Sequence, residues 1–209
     1  MDVLNQVAAL KLMPVIKLDR SEDAAPLAEA LCAGHLPAAE VTFRTDAAAA
    51  SIETMATRFP QMLVGAGTVS SVEQAQRAID AGAKFLVCAG FSRKIVEFAV
   101  SHQIPIFPGV CTSTELMLLL EYDLPVAKFF PAAQCGGLAT IKALAAPFPQ
   151  LKFMPTGGIN AKNVREYLQF PKVVACGGSW MVKSDLINTG DFDAIRRLSQ
   201  EAVELVSGL

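Results

Sequence analysis

Pro125-Val126-Ala127-Lys128-Phe129-Phe130-Pro131-Ala132 is an apolar run of strand length and strand composition with one ammonium in its middle. Burying that charge unpaired would cost several kcal/mol, so a fold that keeps Lys128 there has paired it or neutralised it. Desolvation disfavours the charged form of a lysine and yields the neutral amine that attacks carbonyl carbons. The plainer alternatives are a lysine that snorkels out past Phe130, or a structural ion pair. The neighbouring segments decide between them.

Strand signals recur on both sides of this run, at Met13–Leu18, Ala38–Phe43, Met62–Gly65, Lys84–Cys88, Ile104–Phe107, Leu151–Pro155 and Val173–Cys176, with helical signals between them. Asp2 to Leu10 reads as a short leading helix with Val3, Leu4, Val7 and Leu10 on one face. Ser21 opens the next helix, which turns Leu27, Ala30 and Leu31 inward and stops at Gly34, a usual place for a left-handed C-terminal residue. Ser71-Val72-Glu73-Gln74 and Thr112-Ser113-Thr114-Glu115 have capping-box spacing, Asn160 precedes a helix over Ala161–Leu168, and a last helix covers about Asp191 to Val206. About eight strand-plus-helix units fill the chain without a linker. This predicts an α/β fold: a single (β/α)8 TIM barrel with a short N-terminal helix, residues 1–209 forming one domain. Working residues of such a barrel cluster where strands end and loops begin. Lys17, Glu40, Thr42, Arg44, Thr68, Lys128, Thr156 and Ser179 nearly all fall there.

The chain has 209 residues, 52% hydrophobic and 18% charged, with a mean hydropathy of +0.38. This apolar balance suits partial cover by a partner subunit. A net charge of -2 with mixed signs offers no basic stripe, so neither nucleic acid nor a membrane surface is an expected partner. Cys32, Cys88, Cys111, Cys135 and Cys176 are odd in number and contain no Cys-x-x-Cys pair. They read as reduced, mostly buried residues of a cytoplasmic protein, not as a disulfide framework or zinc site. Only His35 and His102 supply imidazole, neither with ligand spacing, so no metal is expected. Asp2, Lys11 and Pro14 break up the first segment, which does not read as a signal peptide. Apolar stretches such as Leu116–Leu120 are far too short to cross a bilayer.

In Ala38–Thr45, period-two geometry puts Glu40, Thr42 and Arg44 on one face and Val41 and Phe43 on the other. Val41 and Phe43 suit the helix-packed outside, so the polar trio faces inward. A carboxylate that shares an interior with Lys128 invites an acid/base pair, and an ion pair of Glu40 with Lys128 or Arg44 that serves only packing is the competing reading. Thr156-Gly157-Gly158-Ile159-Asn160 and Cys176-Gly177-Gly178-Ser179 place glycine pairs after two late strands, where such barrels often hold phosphate against backbone N–H groups. Either pair is also an ordinary turn. Gly65-Ala66-Gly67-Thr68 reads as a third tight turn, from which Thr68 reaches a hydroxyl or carboxylate. Gly136-Gly137 lets the chain after the lysine strand pass close to a ligand. Lys17 adds positive charge at the mouth or is simply solvated; Trp180 and Tyr167 read as packing residues.

Six segments now stand in order: Glu40–Thr45, Gly65–Thr68, Pro108–Val110, Lys128–Ala132, Pro155–Ile159 and Gly177–Trp180. Together they resemble the 2-keto-3-deoxy-6-phosphogluconate (KDPG) aldolases that also act as 4-hydroxy-2-oxoglutarate (KHG) aldolases, from Pro14 to the last helix. The resemblance implies a class I aldolase with Lys128 as the Schiff-base lysine and Glu40 as general acid/base. Arg44 and Thr68 would hold the pyruvyl end of a 2-oxo acid, Phe130 would wall it, and Thr156 would contact the hydroxyl region. Gly157, Gly158, Gly178 and Ser179 would receive phosphate. It also implies a homotrimer without metal or other cofactor. Two departures from the family pattern, Ala89 and Ala133, bear on loop shape and substrate range. A phosphate-binding isomerase or epimerase, with Glu40 as base and Lys128 as anchor, and a non-catalytic anion-binding barrel are the alternatives.

Overall fold

The computed structural model describes residues 2–209. Helix α1 (Val3–Leu10) leads into strand β1 (Leu12–Ile16). After a 3-10 turn at Ser21–Asp23 come α2 (Ala24–Ala33), β2 (Ala38–Thr42), α3 (Ala48–Arg58), β3 (Leu63–Gly67), α4 (Val72–Asp80), β4 (Leu86–Val87), α5 (Arg93–Ser101), β5 (Ile106–Phe107) and β6 (Gly109–Val110). The second half continues as α6 (Ser113–Glu121), β7 (Val126–Phe129), α7 (Gly137–Ala145), β8 (Lys152–Pro155), α8 (Val164–Leu168), β9 (Cys176–Gly178), α9 (Ser184–Thr189) and α10 (Phe192–Val206).

The strands are parallel, but they do not form the expected closed eight-strand TIM barrel. Their ladders divide into a curled six-strand half-barrel, ordered β5-β4-β3-β2-β1-β9, and a small three-strand sheet, β6-β7-β8. One division falls at Pro108, which has no N–H to donate; the strand expected to end at Phe107 resumes beyond the proline as β6, now paired with β7. The other falls between β8 and β9, which meet only through the single bridges Phe153↔Val173 and Thr156↔Gly177. Val173 therefore makes one bridge instead of opening a strand, and the ladder of β9 on β1 begins at Leu12↔Cys176.

Strand alternation sorts the side chains as the sequence implied. Val41 and Phe43 join the large cluster between strands and helices. Met13, Ala38, Leu63, Phe85, Phe107, Val126 and Met154 form a second, enclosed cluster on the concave side, against which Val3, Leu4 and Leu10 of α1 pack. Phe85 and Phe107 meet edge to face, centroids 5.7 Å apart. The concave side thus has an apolar floor near the start of the strands, with Glu40 and Lys128 above it.

Helix starts follow the caps read from sequence. Ser71 accepts the Gln74 N–H, and Thr112 with Glu115 closes a full capping box. Asn163, not Asn160, flanks the short α8. Gly34 is not left-handed, with φ −84°; His35 takes that conformation at φ 60°. Glycine is needed at 34 for another reason: a Cβ there would lie 2.7 Å from both the Arg196 carbonyl and the Ser199 Cβ of α10.

All five cysteines are free; Cys88 and Cys176 are buried, while Cys32, Cys111 and Cys135 are half-buried. Among the described residues no helix is long and apolar enough to cross a membrane, and no group of three or more His, Cys, Asp or Glu side chains could hold a metal ion. Burial pushes the Cys88 thiol up to about 12 and raises that of Cys176 further, so neither is a thiolate at neutral pH. Titration with a thiol reagent at pH 8 should therefore modify at most Cys32, Cys111 and Cys135 in the folded chain. Cys88 and Cys176 should react only after denaturant is added, and labelling of Cys88 in the folded chain would contradict this packing.

Candidate active site

Lys128 enters the concave side from the middle of β7, between Gly109 of β6 and Met154 of β8. Glu40 enters from β2, flanked by Val15 of β1 and Gly65 of β3. The curl of the strands brings the two together across 88 positions of sequence: Lys128 Nζ donates to Glu40 Oε1 at 3.0 Å. Their side chains are 4% and 0% exposed. Buried this deeply, each charge depends on the other, and removing one would strand its partner at a cost of about 3–5 kcal/mol. Lys128 Nζ also lies 5.4 Å from the centre of the Phe130 ring. The second carboxylate oxygen, Glu40 Oε2, is buried with no protein partner.

Gly65 and Gly67 do not make the expected tight turn; both lie within β3. They make room. A Cβ at Gly65 would enter the Phe85 ring, and one at Gly67 would lie 2.4 Å from Glu40 Oε1. Thr68, the next residue, is left-handed at φ 56°. For a β-branched side chain this conformation costs about 1–3 kcal/mol.

A cavity of about 280 Å³ opens beside Lys128. Arg44, Thr68, Phe130 and Thr156 line it, and so do Gly157, Gly158, Gly178 and Ser179. Of the residues assigned catalytic, substrate or phosphate roles from sequence, only Glu40 does not line this space. Glu40 sits behind the lysine and meets the site through it. Arg44 is held from below: its Nε donates to Thr42 Oγ1 at 2.9 Å, and Thr42 Oγ1 donates to the Ile16 carbonyl at 2.7 Å. Thr156 Oγ1 is buried without a protein partner.

Gly157 and Gly158, at φ 97° and 79°, form a turn that side-chain-bearing residues would strain. The backbone after the lysine strand fixes this turn, since Ala132 N–H and Ala133 N–H donate to the carbonyls of Thr156 and Gly157. Ala133 also packs so closely that a Cβ on Gly158 would lie 2.4 Å from its own Cβ. Ala89 lines the cavity as well, so both departures from the family pattern lie in or against the site. An outer space of about 480 Å³ continues from Arg44, Gly158 and Ser179 to Lys17, Trp180 and Lys183. Lys17 is ion-paired with Asp19. Gly136 and Gly137 do not approach this space; they shape the start of α7. Lys183, exposed beside the outer space, escaped the sequence reading because nothing marks a lysine after Gly177–Trp180 as close to it.

With this geometry in place, the chain can be set beside known proteins. The family model for KDPG and KHG aldolase matches residues 3–198. The chain belongs to that aldolase family. The 2-dehydro-3-deoxy-phosphogluconate aldolase of Treponema pallidum is 45% identical over 204 residues, covering 98% of this chain and 97% of its own. The KHG/KDPG aldolase of Escherichia coli K12 is 42% identical over 193 residues, covering 92% and 91%. A solved structure of the Legionella pneumophila KDPG aldolase, with pyruvate captured at low pH as a covalent carbinolamine intermediate, superimposes with a TM-score of 0.93. It is 42% identical, with 97% of this chain and 98% of that one covered.

In this aldolase, Gly67→Ala sets a methyl against the Glu40 side chain, 2.4 Å from Oε1 and 2.7 Å from Cγ, on a backbone that suits any residue. The methyl would push the Glu40 carboxylate off Lys128. Misplacing a reacting group by about 1 Å can cost about 100-fold, so kcat should fall by about that factor, and the melting temperature should fall with it because the buried pair is parted. An unchanged kcat would contradict the placement of Glu40.

Proposed function

We propose that the chain is a class I aldolase that cleaves 2-dehydro-3-deoxy-6-phosphogluconate to pyruvate and glyceraldehyde 3-phosphate, and 4-hydroxy-2-oxoglutarate to pyruvate and glyoxylate. The observation that carries this reading is the buried 3.0 Å contact of Lys128 with Glu40 beside a cavity. A proton passed along that contact leaves an amine on Lys128 and a carboxylic acid on Glu40. The amine adds to the ketone carbon of the bound 2-oxo acid, and the proton it sheds reaches the former carbonyl oxygen through Glu40. Protonated Glu40 then helps that hydroxyl leave as water, which gives an iminium ion. The carboxylate, directly or through one water, takes the proton of the hydroxyl next to the scissile bond. The carbon-carbon bond breaks, its electrons pass into the iminium to make an enamine, and the aldehyde departs. Protonation of the enamine carbon and hydrolysis release pyruvate and restore Lys128. The covalent imine is the electron sink, so these steps call on no metal ion or organic cofactor.

Arg44 grips the substrate carboxylate through a charge-assisted fork, assisted by Thr68, and the Phe130 ring walls the pyruvyl group. Thr156 Oγ1 supplies a hydrogen-bonding partner for the substrate hydroxyl region. Gly157, Gly158, Gly178 and Ser179 take the phosphate. Support comes from their convergence on one cavity and from relatives named for this substrate; the KHG activity draws on the Escherichia coli relative's name. We further read the protein as a cytoplasmic homotrimer. Its free thiols and the exposed apolar side chains Val100 and Met117 suit that reading.

Incubation with pyruvate and borohydride, then digestion, should place the reduced adduct on the peptide containing Lys128; no pyruvate-dependent adduct would favour the isomerase or anion-binding alternatives. Glu40→Gln should lower kcat by about 100- to 10,000-fold, the range of general acid/base contributions. Full turnover by that variant would remove Glu40 from the chemistry.

A further inference from the structure

Thr42 sits at the end of β2 and is 1% exposed. It lies between the catalytic carboxylate and the guanidinium that faces the same cavity, yet the steps above give it no task. Its hydroxyl carries one proton, which goes to the Ile16 carbonyl at 2.7 Å. That donation leaves the oxygen's lone pairs to accept, and the Arg44 Nε–H points at them from 2.9 Å. Because a hydroxyl has one hydrogen to give, the bond to Ile16 fixes the direction of the bond to Arg44. The guanidinium is planar and rigid, so anchoring Nε fixes the plane and heading of both terminal nitrogens. Among the described residues neither terminal nitrogen has a hydrogen bond or ion pair, and Arg44 lines the cavity.

We propose that Thr42 is a positioning residue for 2-oxo acid binding: the relay from the Ile16 carbonyl through the Thr42 hydroxyl to Arg44 Nε aims the Arg44 fork at the substrate carboxylate. This rests on the carboxylate-binding assignment of Arg44 made above. Thr42 also lines the cavity, but its one hydroxyl proton is given to Ile16 and its oxygen accepts from Arg44, so its part is to position Arg44. Its loss should weaken capture of the pyruvyl group while Lys128 and Glu40 continue to run the chemistry. A purely structural threonine would instead alter melting temperature and leave substrate affinity unchanged.

The test uses the full chain and four variants: Thr42→Val, Thr42→Ser, Arg44→Ala and the double variant Thr42→Val with Arg44→Ala. Borohydride trapping is titrated against pyruvate, and KM and kcat for cleavage are measured alongside melting temperature. Valine keeps the shape and removes the hydroxyl. It should raise KM and the half-saturating pyruvate concentration about tenfold, the usual worth of one hydrogen bond to a charged group, with kcat changed by less than about threefold. Serine keeps the relay and should stay within about twofold of the unaltered chain. With alanine at 44, the valine substitution should add nothing, because the two residues act as one unit.

The proposal is overturned if valine leaves KM unchanged, if serine shifts KM as far as valine does, or if valine has its full effect without Arg44. Should Arg44→Ala itself leave pyruvate affinity intact, the carboxylate assignment fails and takes this inference with it. The Lys128 adduct would still report separately on the Schiff-base chemistry.

Discussion

A lysine and a glutamate, brought from strands 88 positions apart, meet at 3.0 Å with almost no solvent around either. Each charge is tolerable only because the other is there, since an isolated buried ion would cost several kcal/mol and a paired one keeps much of its Coulomb attraction in a poorly screened interior. The rest of the concave side follows from this constraint. Gly67 must lack a side chain, because any Cβ would occupy the carboxylate's place. Beneath the pair the floor is apolar, with Phe85 and Phe107 packed edge to face. Above it lies the cavity beside Lys128.

That cavity continues from an inner part beside Lys128 to an outer part beside Trp180. Arg44 belongs to both, lining the inner space beside Lys128 and the outer space beside Lys17 and Lys183. The strained Thr68 and the left-handed Gly157-Gly158 turn frame the inner part. The segment that follows the lysine strand pins the glycine turn through the Ala132 and Ala133 N–H groups. The proposed nucleophile and the proposed phosphate loop therefore share one continuous backbone support, a mounting that suits a reaction dependent on a narrow set of atomic positions.

Much of the site could be read from the chain because strand alternation and ion-pair logic are local rules. The parity of Glu40 and Thr42 against Val41 and Phe43 put those two groups inside, while Arg44, past the end of β2, is exposed at the mouth; a lysine in an apolar strand announced its need for a partner. Closure was misread because it is decided by hydrogen bonds that the hydrophobic pattern does not encode: Pro108 has no donor, and β8 meets β9 through single bridges. The glycines were misread for a related reason. At Gly34, Gly65 and Gly67 the need is for space against a distant element, which sequence cannot distinguish from a need for a left-handed backbone. The depth of Glu40 behind Lys128 was equally hidden, because alternation assigns a face and not a distance from the opening.

The central claim is that the nitrogen held by Glu40 is the one that bonds to substrate carbon. A crystal structure of the protein after exposure to pyruvate tests it most directly. The expected result is continuous density from Lys128 Nζ to the ketone carbon of pyruvate, with the pyruvate carboxylate against Arg44. Pyruvate lying unbonded in the cavity, with Lys128 still tied to Glu40, or bonded to another lysine, would contradict it.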